Sequence, residues 1–331
     1  MQQRDNVAPA IIFNKTGYDS FLDYLKGLCI LCIILNHCMP EAWLHNSLFC
    51  LWGRPAVPIF LLIQVFHAYK HGQNANPTNW KKLWKRILYP FLFTELFIIA
   101  AISIQHLITH TFSISTIIWT ILPGGPGGYY PWIYVQFALL LPLLKPLIDY
   151  AGVKWSCVIF ILVSQFFEII CSTIHLPEFI YRLLFFRYTF IIFLGYLVAT
   201  KGILINLKTL TLAIISMTTI LVFTYTDLDF RPWFFDAYGE THWMCYFYMF
   251  VILILLFRFL YSQKILVNLI KWMGKCSYEL FLCQLVFFSL FDAIIRERLS
   301  FLGNTLIINI AFIILSILIC CIPILLLKKK E

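Results

Sequence analysis

Charge is what this sequence has least of: Lys, Arg, Asp and Glu make up 12% of its 331 residues, against 61% hydrophobic residues. Soluble domains contain about 25% charged residues, so this composition excludes an ordinary soluble domain and indicates an integral membrane protein in contact with lipids. The formal net charge of +9 would suit a nucleic-acid partner, but the positive residues are distributed as membrane topology requires. No nucleic-acid partner is therefore expected.

Metal-binding and disulfide patterns are also missing, although the chain contains 11 cysteines. Most of them fall within apolar runs, where cysteine acts as a small hydrophobic residue. Cys29 and Cys32 have the spacing of a metal-binding pair, but no second Cys or His pair lies near them, so we expect no metal. The first apolar run lacks a small-residue cleavage site, and we expect it to be a retained span and not a signal peptide.

Ten apolar runs predict an all-α integral membrane protein with about ten transmembrane helices. Their approximate limits are 22–39, 48–68, 87–107, 131–148, 155–174, 180–200, 208–225, 242–261, 278–295 and 303–326. No internal repeat or low-complexity segment divides the chain. Residues 1–331 are therefore predicted to form one transmembrane domain, with a cytoplasmic leader at 1–20 and a basic cytoplasmic tail at 327–331.

The distribution of Lys and Arg predicts the orientation, because cytoplasmic loops carry an excess of these residues. With the N-terminus inside, 18 of the 25 positive residues fall on the cytoplasmic side and six on the outer side. The remaining one, Lys26, lies at the inner end of the first span. Both termini are therefore predicted to be cytoplasmic, and a compact chain without an appended domain suggests the inner membrane of a bacterium.

The first span, within Phe21–Pro40, carries the most informative polar residues. Lys26 and His37 are 11 residues apart, which places them on one face of a helix and roughly 16 Å apart along its axis. A charged residue and an imidazole on one membrane helix are costly unless they face a polar cavity. We therefore take this face, together with Asn36, as the leading candidate site. The structural alternative is an imidazole bonded to a carbonyl near the membrane interface.

Two segments resemble the membrane acyltransferase-3 family. Its members open with an acidic residue, then Arg or Lys followed by Gly-Leu or Gly-Ile, an apolar run and a His. Here the pattern reads Asp23, Lys26–Leu28 and His37, with Lys in place of the more usual two-pronged Arg. The segment Trp272–Tyr278 is similar to the family's late Trp-x-Gly-Lys-x-Ser-Tyr motif, and Gln284 stands where many members have His.

Three further segments are similar to the family in a looser way. Ala56–Phe66 resembles a Val-Pro-Ile-Phe-Phe segment, and Trp80–Pro90 contains a basic cluster that resembles an Arg-x-x-Arg signature ahead of a Pro. Pro123–Gln136 is rich in turn residues and aromatic side chains, which could stack on a sugar ring. Arg54 lies just ahead of the first of these segments, where it could orient an anionic acceptor or act only as an anchor at the membrane interface. The alternatives for the other two segments are positive-inside topology for the basic cluster and an aromatic belt for Pro123–Gln136.

The resemblance implies an integral-membrane O-acyltransferase, most often an acetyltransferase, that moves an acyl group from acyl-CoA to a cell-surface or lipid-linked glycan. His37 would act as base or as transient acyl carrier. The residues expected to act with it are, for catalysis, Lys26, Asn36 and Glu95; for acetyl-CoA or another short acyl-CoA, Lys82, Lys85, Arg86, Lys275, Ser277 and Tyr278; and for the acceptor, Arg54, Tyr129, Tyr130, Trp132, Gln136, Arg182 and Arg187. The expected partners are membrane lipids, acyl-CoA and the glycan, with a homo-oligomer left open.

Several alternatives stay open at the level of sequence. Glu95 and Glu168 lie inside apolar runs and each needs a partner or a proton, so either could orient His37 or balance Lys26. Buried Glu, Lys and His residues would also suit a polytopic transporter of a glycan or small solute. Ser277 is predicted to cap the ninth span, whatever its part in binding.

Overall fold

The computed structural model describes residues 10–11, 20–70, 77–108, 127–226, 228–235 and 242–328. Helices dominate these residues, which confirms the all-α membrane fold; one antiparallel pairing joins β1 (Ala10–Ile11) to β2 (Ile203–Leu204). Most of the leader and the last residues of the basic tail lie outside the described residues, as does the start of the glycine-rich, aromatic segment.

Eight of the described α-helices precede residue 184, and eight follow it. The first group comprises α1 (Ser20–Cys38), α2 (Glu41–Asn46), α3 (Phe49–Trp52), α4 (Ala56–Lys70), α5 (Pro77–Leu83), α6 (Tyr89–Ile108), α7 (Tyr129–Thr173) and α8 (Glu178–Leu183). The second comprises α9 (Thr189–Lys201), α10 (Leu207–Tyr225), α11 (Tyr246–Tyr248), α12 (Ile254–Ser262), α13 (Val267–Lys275), α14 (Ser277–Leu290), α15 (Asp292–Leu299) and α16 (Thr305–Lys328). A π-helical turn, Trp84–Leu88, joins α5 to α6, and a 3-10 turn, Phe185–Tyr188, precedes α9.

Six helical segments of the described chain are long and apolar enough to cross a membrane, and α14 with the bent segment after it would make a seventh. Part of the difference from the ten predicted spans lies in α7. Its 45 residues cover the predicted spans 131–148 and 155–174, and Gly152, with φ 72° and ψ 166°, breaks the helix between them. The predicted span 180–200 overlaps the shorter helix α9, and the predicted span 242–261 overlaps the apolar helical segment Val251–Ser262, which includes α12. The count of ten and the sides of the termini therefore stay predictions.

The helices α1 and α4 form the centre of the molecule. In their spans, 61% and 72% of the residues are buried, against 17% for the segments that contain α6 and α10. The helix α1 packs against α4, α13, α14 and α16, while α9 packs against α4 and α7. Polar residues on α1 and α4 are consequently enclosed by protein, which is where polar groups within a membrane are tolerated.

Two glycines allow α1 and α13 to approach closely. A Cβ atom at Gly27 would lie 1.9 Å from the carbonyl oxygen of Ile270, and one at Gly274 would lie 1.7 Å from that of Asp23. Small residues let the backbones of membrane helices touch, whereas any larger residue would force these two apart. The two segments with the strongest family resemblance thus contact each other through their glycines and fix the position of α1.

Candidate functional site

A cavity of about 840 Å³ runs beside α1 and contains both Lys26 and His37 in its lining. Its other described lining residues come from Met39, α2, the α2–α4 connection, α4, the π-helical turn at Ile87, the start of α7, the Arg182–Tyr188 region and the start of α14. Between the two polar residues, Ile30 and Ile33 continue the same face of α1. The helical spacing of Lys26 and His37 thus predicts the surface that they share.

Lys26 has a carboxylate partner on its own helix. Its Nζ lies 2.7 Å from Oδ1 of Asp23, one turn earlier, and the Asp23 side chain is almost completely buried. The pair lowers the cost of a positive charge at this depth, since an unpaired charge in an apolar environment is strongly unfavourable. Lys26 is therefore balanced by Asp23, a residue that the sequence already placed beside it, and the lysine still faces the cavity.

His37 lies near the C-terminal end of α1, next to Asn36, and both residues line the cavity. The His37 ring centroid is 5.4 Å from that of Phe288 on α14. Arg182 also lines the cavity, and its positive charge is close enough to interact with the imidazole through space. An imidazole that faces a cavity can reach a hydroxyl or a thioester bound there, which is the geometry that general-base or nucleophilic catalysis requires.

Three arginines surround the end of the cavity that contains His37. Arg54 comes from the turn before α4, Arg182 from α8 and Arg187 from the 3-10 turn before α9. Arg182 forms an ion pair with Glu178 on its own helix. Among the described lining residues Glu41 is the one carboxylate, so this end of the cavity carries an excess of positive charge. Arg187 is only 2% exposed.

Tyrosines supply much of the adjoining wall. Tyr129 and Tyr130, both predicted to bind the acceptor, line the cavity. The Arg187 guanidinium lies 5.1 Å from the Tyr129 ring centroid, and Tyr130 contacts Phe281 at 5.7 Å between centroids. Aromatic faces of this kind can stack on a sugar ring as well as on a guanidinium.

The cavity reaches the basic cluster at the Lys26 end. Ile87, which directly follows Arg86, lines it together with Ser277 and Tyr278, and the Tyr278 hydroxyl donates a hydrogen bond of 2.5 Å to the Ile87 carbonyl oxygen. Lys82, Lys85 and Arg86 do not appear in the described lining; their side chains are exposed beside this mouth. The prediction that Ser277 caps a helix is wrong, because Cys276 is the N-cap residue of α14 and no side chain caps it.

Three other predicted site residues lie away from the cavity. Lys275 is exposed at the end of α13. Glu95 and Trp132 line a separate groove of about 220 Å³ between α6 and the start of α7, where the other side chains are apolar. The Trp132 ring contacts Phe91 edge-on at 5.9 Å between centroids. The structure therefore does not bring Glu95 to His37 or Lys26.

Gln136 supports the arginine-bearing segment from behind. Its Nε2 donates a hydrogen bond of 2.7 Å to the Leu183 carbonyl oxygen, and its Oε1 accepts one of 3.2 Å from the Phe185 amide. These bonds hold the chain between Arg182 and Arg187. The predicted acceptor-binding role of Gln136 stays a prediction, and the contacts that are present position its neighbours.

Glu168 belongs to a different polar cluster. Its two carboxylate oxygens accept hydrogen bonds of 2.7 Å from the Tyr181 hydroxyl and 3.0 Å from the Phe235 amide. His242 Nδ1 lies 3.5 Å from the same carboxylate. Among the described contacts of Glu168, neither His37 nor Lys26 occurs. Its partners are Tyr181, Phe235 and His242, so Glu168 is not the carboxylate that orients His37 or balances Lys26.

Five polar residues that line the cavity were not predicted from the sequence: Glu41, Gln64, His67, Tyr134 and Tyr188. Gln64 donates a hydrogen bond of 2.8 Å to the Tyr134 carbonyl oxygen, which ties α4 to α7. Gln64 and His67 recur at helical spacing with Phe60 within a strongly apolar run. That spacing was an available signal, because polar residues on one face of a membrane helix face protein or water.

Comparison with known proteins agrees with the separate motifs. The model of the family Acyl_transf_3, described as an acyltransferase domain, matches residues 19–326. No curated protein and no solved structure matches the chain. No group of three or more His, Cys, Asp or Glu side chains in the described residues could hold a metal ion. The family match favours a membrane acyltransferase over a transporter. The chain therefore belongs to the membrane acyltransferase-3 family.

Proposed function

We propose that this protein is an O-acyltransferase of the bacterial inner membrane, which transfers an acetyl or other short acyl group from acyl-CoA to a hydroxyl of a cell-surface or lipid-linked glycan. The observation that carries the proposal is one cavity, which has both Lys26 and His37 in its lining and also includes Ile87, next to the basic cluster, and the three arginines. Its volume of about 840 Å³ lies within the ~300–1,000 Å³ typical of small-molecule sites.

The donor enters at the Lys26 end. Lys82, Lys85 and Arg86 bind the phosphates of acyl-CoA, as exposed cations beside the cavity mouth can do. The thioester arm passes Ile87 and Tyr278 into the cavity and brings the acyl carbonyl towards His37. Lys26, held by Asp23, provides a fixed positive charge along the way. Because Lys26 lies roughly 16 Å from His37 along α1, its charge attracts the anionic donor. Arg54, at the His37 end of the cavity, is the fixed charge available to the developing oxyanion.

The acceptor enters at the His37 end. The neutral imidazole removes the hydroxyl proton while the hydroxyl oxygen attacks the carbonyl carbon of the thioester. The tetrahedral intermediate collapses with cleavage of the carbon–sulfur bond, and the proton on His37 passes to the departing CoA thiolate. In the two-step variant the imidazole attacks the thioester carbon, the carbon–sulfur bond breaks and CoA leaves as a thiolate. The hydroxyl oxygen then attacks the acyl-imidazole, the carbon–nitrogen bond breaks, and the hydroxyl proton passes through the released imidazole to the thiolate. Both routes give an ester and free CoA.

The test uses inside-out vesicles, labelled acetyl-CoA and endogenous glycan lipids. The variant His37→Asn keeps a polar side chain but can neither take the proton nor carry the acyl group, so we expect labelling of the glycan fraction to fall at least 100-fold, consistent with the ~10²–10⁴-fold contribution of acid–base catalysis. His175→Asn is the matched control, because His175 is exposed after α7 and is not among the described lining residues.

The possible results separate the parts of the proposal. Loss of label with His37→Asn and retention with His175→Asn support both the transferase activity and the role of His37. Equal labelling by wild type and His37→Asn would remove His37 from the reaction. An absence of label from acetyl-, propionyl- and butyryl-CoA would contradict transfer from a short acyl-CoA.

A further inference from the structure

The guanidinium of Arg187 is held in a preformed position at the wall of the cavity. Its central carbon lies 4.4 Å from the ring centroid of Tyr188, 5.1 Å from that of Tyr129 and 5.4 Å from that of Tyr181. Nη2 donates a hydrogen bond of 2.6 Å to the Tyr188 hydroxyl. Aromatic faces attract a guanidinium and restrict its rotamers, so little conformational entropy remains to be lost when a ligand binds.

A second layer of buried groups holds this aromatic cage in place. The Tyr181 hydroxyl donates to one oxygen of Glu168 at 2.7 Å, and the other oxygen accepts the Phe235 amide at 3.0 Å. Tyr246 donates from its hydroxyl to the Arg187 carbonyl oxygen at 2.7 Å. Such supporting bonds keep a binding group within the narrow tolerances that recognition needs.

The charges around this end of the cavity favour an anion. Arg54 and Arg182 line it together with Arg187, and Glu41 is the one carboxylate among the described lining residues. Arg182 is paired with Glu178, and the Glu168 carboxylate behind the cage accepts hydrogen bonds from Tyr181 and Phe235 and is not among the described lining residues. At the surface of the cavity itself, three arginines therefore face one carboxylate. A concave surface with an excess of one charge concentrates ligands of the opposite charge. The planar guanidinium also matches the paired oxygens of a carboxylate or phosphate.

We propose that the acceptor is an anionic sugar and that Arg187 binds its carboxylate or phosphate, which presents a neighbouring hydroxyl to His37. This inference rests on the proposed transfer to a glycan and specifies the chemical class of the acceptor. The donor phosphates bind at the opposite end, beside Lys85 and Arg86, so the two anions do not compete for one site. The acceptor subsite is the wall formed by Arg187 and Tyr129.

The first experiment measures binding and needs no catalysis. Purified protein in nanodiscs is dialysed against labelled glucuronate, glucose 1-phosphate or glucose at one ionic strength. We expect at least one charged sugar to bind at least tenfold more tightly than glucose, and the tighter of the two identifies a carboxylate or a phosphate as the natural group. Equal affinity for the three sugars, or no saturable binding of either charged sugar at millimolar concentrations, would overturn the inference.

Arg187→Lys tests the residue itself, since lysine keeps the charge but cannot form two parallel hydrogen bonds. We expect it to lose most of the preference for the charged sugar, whereas Arg298→Lys, at an exposed position on α15, keeps it. An unchanged preference in Arg187→Lys would exclude Arg187 as the anion ligand. If this variant does not elute as a folded protein, the comparison of sugars on wild type still decides whether the site selects anions.

The binding result and the labelling result fail independently. Selective binding of a charged sugar without any acyl transfer would leave the anionic site standing and refute transfer from a short acyl-CoA to the glycan. Label transfer together with equal binding of charged and neutral sugars would refute the anionic acceptor alone.

Discussion

The ion pair between Asp23 and Lys26 makes a testable contribution to stability. The variant Asp23→Asn keeps the shape of the side chain but leaves Lys26 without the carboxylate oxygen that lies 2.7 Å from its Nζ. Loss of one partner from a fully buried pair costs about 3–5 kcal/mol, but the Lys26 side chain is 26% exposed, so we expect a loss of about 1–2 kcal/mol. Thermal unfolding in detergent should show a lower Tm.

The exposed pair of Lys145 with Asp149 provides the control. Its oxygen–nitrogen distance of 2.8 Å is nearly the same, but the two side chains are 44% and 45% exposed. Exposed pairs contribute only ~0–1 kcal/mol, so Lys145→Gln, which leaves the hydrogen bond from the Tyr196 hydroxyl to Asp149 in place, should lower the Tm less than Asp23→Asn does. Equal effects of the two substitutions would mean that the cavity solvates Lys26 as well as bulk water would.

At the scale of single residues, the sequence predicted which side chains share a face of one helix. It did not predict the contacts that depend on how several helices pack together. Lys26 and His37 share a helix, so their spacing was enough. Tyr130 and Trp132 are two positions apart at the start of α7, yet they line different cavities. Side chains at positions i and i+2 of a helix point towards nearly opposite sides of it. Glu168 finds its partners in Phe235 and His242, and no local pattern encodes contacts over such separations.

At the scale of helices, the contact between α1 and α13 yields a prediction about packing. Gly27→Ala would place a methyl group 1.9 Å from the Ile270 carbonyl oxygen, which is backbone and cannot rotate away. Overpacking typically costs 1–3 kcal/mol, and we expect about 3 kcal/mol here because two helices must separate. Size-exclusion chromatography after mild heating should show far less folded protein than wild type.

Gly303→Ala is the comparison for this substitution. A Cβ atom at Gly303 would meet nothing within 4 Å, although its φ of +67° is unfavourable for alanine. We expect a cost of about 1 kcal/mol from backbone strain alone. A smaller loss of folded protein with Gly27→Ala than with Gly303→Ala would contradict the close packing of α1 on α13.

The helices themselves were predictable where the apolar run was long and uninterrupted. The limits 22–39 agree closely with α1, because a run of that length must form its hydrogen bonds within the segment. The run 180–200 instead overlaps α8, a 3-10 turn and the 13-residue α9. Arg182 and Arg187 lie in that interrupted part, and both line the cavity.

At the scale of the whole molecule, the orientation can be tested directly. The distribution of Lys and Arg predicts that residue 331 is cytoplasmic and that the acidic loop 226–241 is outside. Green fluorescent protein fused after residue 331 should therefore fluoresce, and alkaline phosphatase inserted near residue 228 should be active. An active phosphatase after residue 331 would place the C-terminus outside and refute the predicted topology.

The close contact of Gly27 and Gly274 also limits how substrates can gain access. Transporters commonly expose a central site to each side in turn by rocking one helical bundle against another. Such a movement of α1 relative to α13 would have to separate backbones that touch at these two glycines. The two helices therefore move as one body, and any change in the width of the cavity beside α1 must come from the elements that form its other walls.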